Sequence, residues 1–156
     1  MVSGCGKLED VKAVSIKISS ITHATEDIEK VLQAVFNVCP EDFPRKVQTD
    51  KAKGHYGNEI VICNLVVRGG SKAERFLDSL WRHMSNVDRN RVCDETQVRV
   101  DESGKLHLRL DKQEALRGRL RLQDNDVLKI EILFKTTDNS AGSRVEMVRK
   151  RIEQMS

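Results

Sequence analysis

The four histidines of this 156-residue chain, His23, His55, His83 and His107, are its best candidates for acid–base or metal chemistry, and their spacing supports neither. No two stand at a metal-ligand interval, and neither H-E-x-x-H nor G-x-S-x-G occurs. His23-Ala24-Thr25-Glu26-Asp27 sets a histidine beside two acids, the minimum from which a hydrolytic site could be built. A helix start already accounts for those residues, with Thr25 as N-cap and Glu26 and Asp27 complementing the helix dipole. Gly69-Gly70 lacks the Lys-Ser/Thr continuation of a phosphate loop. Cys5, Cys39, Cys63 and Cys93 contain no C-x-x-C pair, so neither a zinc ribbon nor a redox motif is expected. The expectation is a protein with no catalytic residues, no metal and no cofactor.

What remains is the placement of charge. The formal net charge is only +3, but it is segregated. Between Lys105 and Arg121, Lys105, Arg109, Lys112, Arg117, Arg119 and Arg121 face only Asp111 and Glu114. Between Arg45 and His55, Arg45, Lys46, Lys51 and Lys53 face only Asp50. Clustered cations favour a polyanion, and each phosphate contact makes binding salt-dependent. Lys53, Arg109, Lys112, Arg117, Arg119 and Arg121 are the expected phosphate contacts, and Asp111 reads as a helix cap. Gly54-His55-Tyr56-Gly57-Asn58 adds what bare cations lack. His55 and Tyr56 are suited to stack on an unpaired base, and Asn58 to bond a base edge or sugar.

These residues need a scaffold, and the apolar pattern supplies one. Val11 to Thr22 alternates with period two, Val14, Ile16 and Ile18 to one side, and predicts a half-buried strand. Ile28, Val31, Leu32, Val35 and Phe36 form a helical stripe that ends near Pro40. A polar strand over 46–55, the glycine-rich hairpin and an apolar central strand over 60–67 follow. Ser71 to Glu74 reads as a capping box for a helix striped by Ala73, Phe76, Leu77, Leu80, Trp81 and Met84. Trp81 lies on that stripe and belongs to the core.

A short helix within 86–97, a strand over 105–110, a short helix stopped near Gly118 and a strand over 127–135 complete the domain. A polar break at Asp138-Asn139-Ser140 precedes a basic terminal helix. The boundaries expected are a leader over 1–10, a domain over 11–135 and the helix over 140–156. The fold class is α+β: a two-layer sandwich whose mainly antiparallel sheet has helices on one face and water on the other. The open face would carry Lys17, Ser19, Lys105, His107, Arg109, Lys129, Glu131 and Lys135. An RNA-recognition motif shares the β-α-β-β-α-β order but requires exposed aromatics on its strands, and these strands have none. No signal peptide or membrane span is legible, so a reduced, cytoplasmic protein is expected.

Three segments in fixed order, His23-Ala24-Thr25-Glu26-Asp27, Gly54-His55-Tyr56-Gly57-Asn58 and Leu108-Arg109-Leu110-Asp111-Lys112-Gln113, resemble a family of small archaeal proteins over roughly residues 11–135. That family is described as a predicted exosome-associated RNA-binding subunit, with a fold similar to the ribosomal protein that binds 5S RNA. Glu59 departs from it, since a proline is expected there. The resemblance implies an antiparallel α+β fold and RNA binding without catalysis. RNA, and an exosome or other RNA-processing assembly, would be the partners; no membrane and no small-molecule substrate are expected. It also places His23, His55 and the stretch from Arg109 to Gln113 in a shared context. Two alternatives stay open: a protein-interaction module docking on a larger RNA-processing complex, and a small hydrolase built on His23 and Glu26.

Overall fold

Five strands form one antiparallel sheet in the computed structural model, which describes residues 11–137 and 140–155. They are β1 (Lys12–Thr22), β2 (Gln48–Lys53), β3 (Glu59–Arg68), β4 (Lys105–Asp111) and β5 (Val127–Lys135), in the order β2-β3-β1-β5-β4. Six helices accompany them: α1 (Ile28–Val38), α2 (Gly70–His83), α3 (Asn86–Asp94), α4 (Thr96–Arg99), α5 (Lys112–Leu116) and α6 (Ala141–Met155). The expected leader over 1–10 lies outside the described residues, as do Asp138 and Asn139 of the polar break.

Register explains why one sheet face is dry. Ile16 pairs with Val67 and Ile132, and Ile18 with Leu65 and Ile130, so the rows meeting across β3, β1 and β5 are aliphatic. Leu106, Leu108 and Leu110 extend the rows onto β4. Phe76, Leu77, Leu80 and Trp81 of α2 close over them, and Trp81, 2% exposed, is core as its stripe implies. Each large side chain buried this way contributes about 1.5–3 kcal/mol.

Local signals fared less evenly. The β1–β5 register slips between Ala13 and Ser15, and beyond the bulge Ala13, not Val14, joins the buried row. Asp27, not Thr25, caps α1: its Oδ1 accepts from the Glu29 amide at 3.0 Å. Glu26 instead accepts from the His23 amide, closing the turn ahead of the helix. The capping box at Ser71 does not form. Helix α2 begins at Gly70 behind Gly69, whose φ of 121° only glycine adopts freely, and has no side-chain cap. Glu74 is drawn to the Ala13 amide (2.8 Å) and Arg151 (2.7 Å), docking both β1 and α6. Asp111 does cap α5, accepting from the Glu114 amide.

In the β2–β3 hairpin Gly57 takes a positive φ of 81°, whereas Gly54 and Asn58 do not. Gly54 permits a close approach, since a Cβ there would sit 3.3 Å from the Asn58 carbonyl oxygen and press that carbonyl aside by a few tenths of an ångström. No helix among the described residues is long and apolar enough to cross a membrane.

Candidate nucleic-acid interface

The second sheet face is left open by the helices. Its residues follow from the register: Lys17 and Ser19 on β1, Asn64 and Val66 on β3, Lys129 and Glu131 on β5, His107 and Arg109 on β4. Arg109 stands directly opposite Lys129, both are exposed, and neither has an acidic partner among the described residues. Like charges at directly opposed positions destabilise a sheet. Beyond β4, the Asp111 amide donates to the Arg121 carbonyl at 2.8 Å and the Gln123 amide to the Arg109 carbonyl at 3.0 Å. That added stretch, with Leu122 bridged to the inward Leu110, puts exposed Arg121 on the face of Arg109.

The other end of the face is balanced. Glu131 lies 3.8 Å from the Lys105 ammonium and 3.9 Å from His107 Nδ1, and His107 Nε2 is 2.8 Å from Asp101. Partial burial raises the Asp101 carboxyl, but hydrogen bonds from His107, the Ser103 hydroxyl and the Lys105 and Ser103 amides outweigh it. They hold the group well below the usual carboxylate range.

Lys112, expected at phosphate, is 3% exposed. Its ammonium donates to the Ile21 carbonyl (2.7 Å), Asp126 Oδ1 (2.9 Å) and both Glu26 oxygens (3.2 Å). The end of β1, the turn before α1 and the turn before β5 are thereby tied to the start of α5. Asp126 reaches it from a left-handed conformation, φ 51°. His23 caps the cluster on its solvent side, its Nε2 3.9 Å from Glu26 and 4.0 Å from Asp126. His23, Glu26 and Asp126 form a metal-like ligand set, but the Lys112 ammonium already bridges the two carboxylates. Glu26, the acid of the hydrolytic alternative, is held by the same ammonium.

Two of the three sequence motifs thus meet through Lys112 and Glu26. Thr22 pairs with Val61 and Asp111 with Val127, so the hairpin of the third motif projects from the same end of the sheet. At its tip Tyr56 is 88% exposed and His55 meets it edge-on, ring centroids 4.9 Å apart. Asn58 and Gln113 are exposed. Lys53, opposite Glu59, has the parity of the helix-covered side and does not join Arg109 on the open face. Arg117 and Arg119 share Glu114, at 2.9 and 3.6 Å.

One feature escaped the pattern of charges. A depression of about 460 Å³ opens on the face between Lys17, Ser19, Ile21, Ile62, Asn64 and Lys129. The apolar run of β3 marks a central strand whose first row, Cys63, Leu65 and Val67, joins the core. Its second row, Ile62 and Val66, instead faces outward, leaving Val66 48% and neighbouring Ile21 43% exposed.

Residues 15–135 match the family model described as RNA binding. An RNA-binding protein of Pyrococcus abyssi, PAB1135, is 32% identical over 152 residues, covering 95% of this chain and 97% of the relative. The uncharacterized MJ0213 of Methanocaldococcus jannaschii is 34% identical over 128 residues, 78% of this chain and 84% of its own. The crystal structure of AF2318 from Archaeoglobus fulgidus superposes with a TM-score of 0.80 at 28% identity, covering 90% of this chain and 99% of the other. With the family model running from within β1 to the end of β5, the chain belongs to this archaeal RNA-binding family.

Proposed function

We propose that the protein binds RNA without catalysing a reaction on it, and that the open sheet face carries the phosphate chain. The observation behind this is the Arg109–Lys129 pair: two cations held in opposition across adjacent strands, with no acid between them. Such an arrangement costs stability in the free protein, and a bound polyanion reverses the sign of that cost. Lys17, Arg109, Arg121 and Lys129 are the phosphate contacts in this reading, while His55, Tyr56 and Asn58 at the hairpin tip meet bases or sugar. Lys105 and His107 contribute less, being neutralised by Glu131 and Asp101. Lys112 acts by holding the loops beside the face. An accessory role in an exosome or other RNA-processing assembly, and kinship with the 5S-RNA-binding ribosomal fold, are the parts of this reading that rest on family resemblance.

Filter binding of a mixed RNA pool across a salt series tests it. Affinity falls as salt rises, and Arg109→Ala with Lys129→Ala flattens the log–log slope by about two phosphate contacts' worth. Absent binding at low salt, or a slope the double variant leaves unchanged, overturns the assignment.

A further inference from the structure

Resting on the RNA reading above, we infer that the depression on the open face seats one unpaired nucleotide, so that the protein selects single-stranded RNA over duplex. At one end of the depression stand His23 and the Asp126 carboxylate, the latter neutralised by Lys112, and the rest of its walls are of two kinds. Ile21, Ile62 and Val127 make an apolar floor, and Ile21 is 43% exposed in the free protein. Around it stand Ser19 and Asn64, whose side chains have no hydrogen-bond partner among the described residues, and the cations Lys17 and Lys129.

A nucleotide released from a helix presents the same combination: an apolar base face, a base edge rich in donors and acceptors, and a phosphate. A duplex offers phosphates and sugar hydroxyls outward and hides its base faces in the stack. Laid on this sheet, it would reach the cations but leave the aliphatic floor wet and Asn64 without a base edge. The opening, about 460 Å³, is a compact ligand's volume, not a helical groove's. Arg109 and Arg121 continue the cationic row past Lys129 by register, so the occupant is part of a chain and not a free mononucleotide. At the same end of the sheet the exposed Tyr56 ring offers a second base a surface to stack on.

The experiment compares an unstructured labelled 12-mer with the same 12-mer in perfect duplex, titrated into the full chain at one low salt concentration. The single strand binds roughly tenfold tighter, the worth of one seated base. Ile62→Ser and Asn64→Ala each lower single-strand affinity and leave duplex affinity unchanged. Should Ile62→Ser fail to fold, 2-aminopurine placed along the single strand gives a second readout on the unaltered protein. One position then changes fluorescence on binding and Asn64→Ala abolishes that change. Equal affinity for both RNAs overturns this inference and leaves the RNA reading standing. Binding of neither overturns both.

Discussion

At one end of the open sheet face Lys105 and His107 stand over Glu131 and Asp101; at the other, Arg109 and Lys129 stand over each other. Both ends carry basic side chains, Lys105 and His107 at the first and Arg109 and Lys129 at the second, and both lie on β4 and β5 apart from Asp101 in the turn ahead of β4. What differs is whether an acid lies within ion-pair reach, and the second arrangement leaves an unbalanced field that a polyanion can neutralise. Lys112, three positions from Arg109, makes a third case. Buried among a carbonyl and two carboxylates, its charge organises loops instead of meeting solvent. A cation's position in the register, more than its presence in a basic stretch, decides its role.

Lys112→Met should be the most damaging change to stability. It strands Glu26 and Asp126 without their counter-charge, and a loss of about 2–3 kcal/mol in denaturant unfolding is expected, below the fully buried limit because Asp126 is partly hydrated. A variant as stable as the parent would remove the distinction between a structural and a surface cation. Reversing the unbalanced end, Arg109→Glu with Lys129→Glu, should cost about 100-fold in RNA affinity at low salt. Lys105→Ala at the balanced end should change it less than about threefold, and a larger effect there would erase the contrast between the ends.

Acid titration probes the balanced end from the other side. The Asp101 carboxyl is depressed in the fold, so the stability it confers is complete above the ordinary carboxylate range. It is lost as pH falls from about 4 toward the folded value. Asp101→Asn should therefore show a shallower decline of melting temperature with acidification; an unaltered acid limb would mean the His107 contact carries no such linkage. The smallest effect belongs to Arg109→Glu alone. It converts the opposed pair into Glu–Lys and should raise the stability of the free protein by about 0.2–1 kcal/mol while weakening RNA binding.

Much of this was legible in the chain. The alternation of Leu128, Ile130, Ile132 and Phe134, and the stripe through Phe76, Leu80 and Trp81, name a strand face and a helix face without tertiary information. Capping was not, because several side chains at each helix start are chemically competent. Glu74 was decided by the Ala13 amide, 61 residues away. The bulge at Ala13–Ser15 has no proline or glycine to announce it. Lys112 was illegible as a buried group since its partners, Glu26 and Asp126, lie 86 and 14 residues distant. The depression was missed for a related reason: a continuous apolar strand reads the same whether its second face is covered or bare.

The two margins of the sheet carry a consequence for assembly. Along β2 nearly every residue is exposed, and Asp50, Lys51 and Lys53 crowd the border with charge. On the far side the short stretch through Leu122 occupies the Arg109 carbonyl and the Asp111 amide of β4. Neither border invites a further strand, so stacking of copies into a continuous ribbon is suppressed even at high concentration.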